Sequence, residues 1–442
     1  LQGLPGVFVN QTKGRPGADG ADIRIRGVGT LNGSGPLVLV DGIAYSLSDV
    51  NPNDIESISV LKDAASAAIY GNRAANGVIL VKTKSGQKGK FRVDYNNYFG
   101  TQSATILPDV VWNSVEYMEG KNRALANEGR PAEYAQDLIN EYKAGTDPYT
   151  YANTNWFEVM FRPAPIQEHT LRFSGGSDKT QFSVSLGYLD QKGIMLNTSA
   201  KRYTLGTNLS ADLSNRFKLG ASLFGTFWTD RESAYTADEG NGEGGIMGLT
   251  FRGLPTQAPY AANGTYGDQW VRVPGHNFFR NPLALSYEGF RKSRSLRTLA
   301  TVFAEYRLPL DIRYKLTVSA NIRYGLQKFA YPQIELTNTK TGTVALMGNI
   351  PARGVRQSST ESINLTNFHT LTWDKEVAPG HTVGALGGFS LETFDDANFL
   401  AANQGYLGND LTELGAGSTN PQVGGASTAS RLMSYFGRGT YN

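Results

Sequence analysis

Few residue groups in this chain have types and spacing that could do chemistry. Gly240-x-Gly242-x-x-Gly245 matches a dinucleotide cradle by letter. Such a cradle needs a strand before it and a helix opening after it, so that backbone N–H groups converge on phosphate. Here the glycines sit in a Gly/Glu loop without that unit, so no phosphate site is expected. His169, His276, His369 and His381 have no metal-ligand spacing, and the chain has no Cys, which excludes a thiolate metal site, a cysteine nucleophile and a disulfide scaffold. No nucleophile elbow is present. The expectation is therefore no catalytic residue, no metal and no cofactor, and no enzyme. Two recognition chemistries are left. Asp19, Asp22, Arg24, Arg26, Asp41, Lys62 and Arg73 are charged groups that could hold the unit carrying them against a polar surface, or could simply be solvated. Trp112, Tyr260, Tyr266 and Trp270 lie in long connections, where rings could stack on the C–H faces of sugars or on peptide side chains, or could pack the connections themselves. Trp156 reads as loop packing.

The elements that must position these groups fall into two grammars. Across Val60–Gly86 the chain reads as a strand end, a short alanine-rich helix that Asp63 caps and Gly71 ends, and a second strand opening at Gly77. With short strands at Gly6–Val9, Asp22–Arg26, Pro36–Val40, Ile55–Leu61 and Val78–Thr83, residues 1–87 form a small α+β unit. From Lys88 onward, apolar and polar side chains alternate over long segments. Phe182, Val184, Leu186 and Tyr188 oppose Ser183, Ser185 and Gly187. Tyr314, Leu316, Val318, Ile322 and Tyr324 oppose Lys315, Thr317, Ser319, Asn321 and Arg323. Period two with one apolar face predicts half-buried strands. About ten are expected, near 91–102, 167–175, 179–191, 200–213, 216–230, 293–308, 311–330, 358–375, 381–400 and 429–442, on the strand lengths that span a bilayer.

Connections such as Gly176-Ser177-Asp178, Ser214-Asn215 and Pro309-Leu310 are short. Those at 103–166, 231–292, 331–357 and 401–428 are long. Short turns at one end and long loops at the other is the rhythm of an outer-membrane β-barrel, whose short turns face the periplasm. A soluble sandwich would share the alternation but not that rhythm. Aromatics near strand ends, including Phe217, Trp228, Tyr306 and Trp373, suit interfacial girdles. Composition agrees: 442 residues with 51 Gly, 22 Tyr and 21 Phe, and a mean hydropathy of −0.33. Runs such as Val78–Val81 are too short for a membrane helix, and a net charge of +3 gives no reason to expect nucleic acid. The first unit starts abruptly at Leu1 and strand grammar runs out at Asn442. Lipid does not tolerate unpaired edges, and a barrel closed at about ten strands could not enclose a unit of this size. The chain is therefore expected to be part of a longer one.

Asp22-Ile23-Arg24-Ile25-Arg26-Gly27, Leu39-Val40-Asp41-Gly42 and Asn51-Pro52-Asn53-Asp54-Ile55-Glu56-Ser57-Ile58 resemble the plug of TonB-dependent outer-membrane transporters. The run from Lys62 to Lys84 resembles the SusC/RagA branch in particular. So do Asn155-Trp156-Phe157, Phe161-Arg162, Ser174-Gly175-Gly176-Ser177 and Asp190-Gln191-Lys192-Gly193. The resemblance implies a mainly β fold: a transmembrane antiparallel barrel of about 22 strands, of which about ten are present, with the α+β plug inside its lumen. It implies a plug domain at 1–87, lacking its N-terminal part, and the leading part of the barrel at 88–442. It implies TonB-energised import of oligosaccharides or peptides across the bacterial outer membrane, embedded in outer-membrane lipid. A SusD-like surface lipoprotein would act as lid, transporter–lid pairs could dimerise, and the TonB contact would lie upstream of this chain. Arg24, Arg26, Asp41, Lys62 and Arg73 become candidates for plug–barrel anchoring. In the wider family plug arginines pair with glutamates of later strands. Arg26 matches the first such position, Lys62 stands at the second, and those glutamates would lie beyond Asn442. Alternative readings are a TonB-dependent siderophore or vitamin receptor, and a surface binding protein without transport.

Overall fold

The computed structural model describes residues 2–11, 14–17, 20–27, 34–63, 68–235, 245–271, 280–348 and 352–441. The N-terminal unit contains β1 (Val7–Asn10), β2 (Asp22–Ile25), β3 (Leu37–Val40), β4 (Ile43–Ala44), β5 (Ile55–Leu61) and β6 (Val78–Thr83). β1 and β2 pair as a ribbon, and the other four form a sheet ordered β4-β3-β6-β5. β3 and β6 run parallel, with Val40 opposite Val81. Both are largely apolar because both faces are covered. Val40, Ile79 and Val81 pack on Ile25, Ile43, Tyr45 and Val50, while Leu39 and Val78 pack on Ala74. The two-residue β4 carries no strand signal of its own. The expected helix falls partly on residues 64–67, outside the described residues. Beyond them, Ala68–Ala74 form a run of 3-10 turns. The sequence places Gly71 at a helix end, but its positive φ of 63° kinks the turns without ending them.

All ten expected long strands are present. They begin with β7 (Gly89–Gln102), β8 (Ala164–Gly176), β9 (Thr180–Lys192), β10 (Ser199–Asp212) and β11 (Phe217–Glu232). After a short loop strand β12 (Gly267–Asp268) come β13 (Phe290–Arg307) and β14 (Arg313–Tyr331). After loop strands β15 (Glu335–Asn338) and β16 (Val344–Leu346) come β17 (Gly354–Ala378), β18 (His381–Gln404) and β19 (Thr419–Tyr441). The ten form one antiparallel meander from β7 to β19, each paired with its neighbours in sequence. β19 starts at Thr419, well before the expected 429. Its first half, rich in Gly, Ala and Ser, lies beyond the level at which the outer face must be apolar, so alternation does not mark it.

The burial pattern of the meander is inverted relative to a water-soluble sheet. On β9, Ser183 and Ser185 are buried while Leu186 is exposed. On β14, Thr317, Ser319 and Asn321 are buried while Val318, Ile322 and Tyr324 are exposed. Leu209, Leu219 and Val302 extend this exposed apolar face across neighbouring strands. An apolar surface of that extent needs lipid or a partner. Its height is that of a bilayer: Phe217 and Phe227 on β11, and Tyr314 and Tyr324 on β14, stand ten residues apart. That is ~33 Å along the strand and ~25 Å along the normal at ~40° tilt. Among the described residues no helix is long and apolar enough to cross a membrane; the strands cross instead.

The long connections fold into a cap at one end. Helices α1 (Ser114–Asn127) and α2 (Gln136–Ala144) occupy the stretch whose helical spacing the sequence shows. Asn113 caps α1, accepting from the N–H groups of Val115 and Glu116, both at 3.0 Å. Met118, Tyr134, Ile139, Tyr142 and Val271 form its core. Helices α3 (Trp156–Met160), α4 (Gly245–Arg252) and α5 (Pro282–Tyr287) share a second core. The Gly/Glu composition before α4 hides it in the sequence. Gly240 and Gly242 lie outside the described residues, and Ile246 at the start of α4 is buried in apolar packing.

Candidate functional site

The N-terminal unit lies on the polar inner face of the meander, and the contact is read along one row of the β ladder. Strand register sets Thr170, Gly187, Thr204, Thr226, Arg297, Arg323, Ser362, Asp396 and Thr428 side by side from β8 to β19. The loop Leu47–Asp54 is laid against this row. Asn51 starts a tight turn, its Oδ1 accepting from the Asn53 N–H at 2.9 Å with Pro52 in the first turn position. That fixes its Nδ2 outward, to donate to Thr170 and Thr204 at 3.3 Å each. Asn53 Nδ2 also donates to Thr170, at 3.2 Å. The Asp49 carbonyl accepts from the Thr226 hydroxyl at 2.7 Å, and the Asp49 carboxylate pairs with Arg297. Glycines in the wall make room. A Cβ on Gly187 would lie 2.2 Å from Thr204 Oγ1 and 2.7 Å from Asn51 Nδ2, and one on Gly206 would lie 3.0 Å from Asp54 Oδ2.

More contacts spread around the row. Asn208 Nδ2 donates to Thr83 Oγ1 and the Lys84 carbonyl, both at 3.1 Å. Arg172 reaches the Ser85 carbonyl at 3.2 Å, and Asn321 the Ala44 carbonyl at 3.2 Å. Arg15 pairs with Glu232, which also holds Arg291 at 2.6 Å. Phe224 and Leu299 of the wall close the apolar core of the unit. Burial pushes the Asp49 carboxyl above its ordinary value, with Arg297 and then Arg323 pulling it back part of the way. Burial also pushes Asp54 up, against its bond to Ser185 and the charges of Arg172 and Lys84.

Of the five anchoring candidates, Arg73 reaches the wall, with a two-pronged bond to Glu392 on β18 at 2.7 and 2.8 Å. Three others bond within their own unit. Arg26 pairs with Asp63 at 2.8 Å, both exposed. Lys62 donates to the Pro5 carbonyl. Asp41 accepts from the Thr83 N–H at 3.0 Å. Arg24 forms no ion pair among the described residues, and Asp19 lies outside them. The contacts missed from sequence are those of Arg15, Asp49, Asn51, Asn53 and Asp54. The signal available was the Asn51–Asp54 motif itself, together with the arginines on the polar side of β13 and β14.

On the long-loop side of the unit lies a cavity of about 1100 Å³, floored by Leu47, Asp49 and Pro52 and walled by inward residues of β8 to β19. Its charges are mixed. Arg202 pairs with Glu168 at 2.8 Å and lies 5.3 Å from the Trp228 ring centre, and Asp230, Arg291, Arg323 and Asp396 line the rest. The volume, about 1100 Å³, is just above the ~300–1,000 Å³ of small-molecule sites.

The loop aromatics divide. Trp270 stacks on Tyr142 at 6.3 Å, donates to the Thr150 carbonyl and carries Lys340 at 4.2 Å over its ring, so its faces are taken by the loops. Tyr266 bonds Glu288 at 3.2 Å and stacks on Tyr260 at 5.9 Å. Tyr260 and Trp112 remain exposed. Trp156 is buried, donating to the Leu254 carbonyl at 2.9 Å. Among the described residues no group of three or more His, Asp or Glu could hold a metal.

An apolar-coated meander with a globular unit clamped to its polar inner face is the architecture of a plugged outer-membrane barrel. The family model described as TonB-dependent Receptor Plug Domain matches residues 1–78. TonB-dependent receptor P26 of Formosa agariphila is 30% identical over 456 residues, covering 100% of this chain and 42% of the relative. TonB-dependent receptor SusC of Bacteroides thetaiotaomicron is 34% identical over 297 residues, covering 63% of this chain and 27% of the relative. Among solved structures, the RagAB peptide importer in its open-open state superposes with a TM-score of 0.79 at 24% identity, over 99% of this chain and 50% of that chain. The ferric citrate transporter FecA shares the fold more distantly, with a TM-score of 0.52 at 12% identity over 98% of this chain and 50% of that chain. The chain belongs to the SusC/RagA-type TonB-dependent transporters of the outer membrane. It spans about two-fifths of the length of the full-coverage curated relatives.

Proposed function

We propose that this chain is the plug and leading wall of an importer that carries oligosaccharides or short peptides across the outer membrane, energised through TonB. The carrying observation is the way the plug is held. Its grip on the wall consists of many separate polar contacts, with a mixed-charge cavity of about 1100 Å³ above it on the loop side. Single hydrogen bonds of this kind contribute only ~0.5–1.5 kcal/mol each, so a pulling partner can break them in sequence and they can re-form afterwards. The work comes from outside the chain and no bond of the cargo need be broken. Of the four candidate loop aromatics, Tyr260 and Trp112 are the two exposed enough to meet cargo. A SusD-like lipoprotein over the long loops would close the cavity from above, and two transporter–lid pairs could associate.

The test is uptake by cells expressing the full-length protein, with and without TonB, of labelled oligosaccharides, labelled peptides and a ferric siderophore. TonB-dependent entry of oligosaccharide or peptide is expected. Entry of the siderophore alone would move the protein to the iron-chelate class, and binding without entry would make it a surface receptor.

A further inference from the structure

We propose that the cargo is an acidic oligosaccharide, and that Arg297 and Arg323 take one of its ring carboxylates at the floor of the cavity. This rests on the reading of the chain as an importer whose cargo enters that cavity. Register sets Arg297 on β13 directly opposite Arg323 on β14, and both line the cavity. Like charges directly opposite one another destabilise a sheet, so the pair calls for anions. The plug supplies one: Asp49 pairs with Arg297, whose side chain stays 35% exposed. Among the described residues Arg323 forms no ion pair and no hydrogen bond, and its Nε is buried without a partner.

The acids of the wall are placed elsewhere. Glu168 is taken by Arg202 at 2.8 Å, Glu232 by Arg291 at 2.6 Å, and Asp230 faces Arg291 at 4.0 Å. Asp396 shares the row of Arg323 but stands two strands further on, ~10 Å along the ladder. Two guanidinium groups therefore share one carboxylate, and each is a planar fork of donors that suits a second. Gly325, the next inward position on the loop side of Arg323, puts no side chain between that arginine and the cavity.

The wall above the pair identifies what carries the carboxylate. One and two pleats nearer the loops, the inward side chains are Ser295 and Ser293 on β13, Gln327 on β14, and Thr360 and Ser358 on β17, with Asn398 continuing on β18. All six line the cavity. Each ends in a hydroxyl or an amide that both donates and accepts, and none carries a charge. A sugar ring offers several hydroxyls to such a surface, whereas peptide side chains need apolar recesses as well. The large inward apolar side chains of the cavity wall, Ile166, Leu189 and Trp228, stand on the β8 to β11 side instead.

The experiment is calorimetric titration of the full-length protein in detergent with galacturonate, guluronate and mannuronate trisaccharides, their neutral methyl esters, and trialanine. At least one uronate should bind about tenfold or more tightly than its ester, and R323Q should abolish that preference. Equal binding of acid and ester, an unchanged preference in R323Q, or no binding of any uronate would overturn the site. Trialanine bound as tightly as the uronates, with the same loss in R323Q, would assign the carboxylate to a peptide terminus and overturn the sugar. Should R323Q release the plug, salt decides on the wild type: raising ionic strength from about 0.05 to about 0.5 M must weaken the uronate and spare the ester, and indifference to salt refutes the site. These titrations do not involve TonB. TonB-dependent entry of neutral sugars or peptides would sustain the import reading even where the site fails, and absence of all uptake would end that reading without altering the affinities.

Discussion

Replacing Arg297 by Met should loosen the plug, and the size of the effect follows from where its partner sits. The Asp49 side chain is 1% exposed and that of Arg297 is 35% exposed. Because burial raises the Asp49 carboxyl despite Arg297, the pair is not a net gain over a neutral contact. Removing only the arginine nevertheless leaves a buried carboxylate behind, which costs ~3–5 kcal/mol in a fully buried pair. Arg323 still faces Asp49 and water reaches the Arg297 side, so ~2 kcal/mol is expected here, a shift of ~30-fold toward the released plug. D49N/R297M should return close to wild type, because no charge is stranded. The pH sign follows from the raised value: the docked plug favours neutral Asp49. In Arg297→Met, docking should recover as pH falls through the Asp49 pKa, above 3.8, and be lost again as pH rises through it. Hydrogen exchange of the plug amides, with ionic leak across planar bilayers, reads this directly. Unchanged exchange in Arg297→Met, or additive losses in the double variant, would refute the reasoning.

Other outcomes follow from the same geometry. Gly187→Val should cost ~1–3 kcal/mol of plug docking, seen as faster exchange at Asn51–Asp54, because its Cβ meets Thr204 and Asn51. Val302→Arg, in the middle of the apolar band, should cost ~2–4 kcal/mol of folding stability in liposomes by denaturant titration, while Val302→Leu should be near neutral. Trp270→Ala should loosen the loop cap by roughly 2–4 kcal/mol, lowering its protease resistance without altering which cargo is taken up.

Much of this architecture is legible in the sequence because a bilayer imposes a simple code. A strand with lipid on one side and a polar lumen on the other must alternate, as Phe182–Tyr188 and Tyr314–Tyr324 do. The code lapses where the lipid ends, which is why Thr419–Ala426 on β19 does not read as strand. The plug contacts are harder to see. Asp49 lies 248 residues from Arg297, and neither residue has a local reason to be noticed. Pairing is decided by ladder register, which composition does not show. Arg26 and Lys62, singled out by their place in the motif, make bonds within the plug, whereas Asn51 is both a turn cap and a wall contact. Trp270 sits in a Gly-rich loop where a cargo ring could stand, but Tyr142 and Lys340 occupy its faces, a packing created by helices and loops far apart in sequence.

The most direct measurement exploits the absence of cysteine from these 442 residues, any cysteine elsewhere in the full-length protein being replaced by serine. A Cβ on Gly17 of the plug would lie 3.2 Å from Ala200 Cβ on β10, close to disulfide spacing of ~3.5–4.5 Å, although the φ of 76° at Gly17 puts any side chain there under strain. In outer membranes carrying full-length Gly17→Cys/Ala200→Cys, the two thiols should join under oxidation, block uptake, and restore it on reduction. Two cysteines that stay separately open to maleimide under the same oxidation would show that the plug does not rest against this wall.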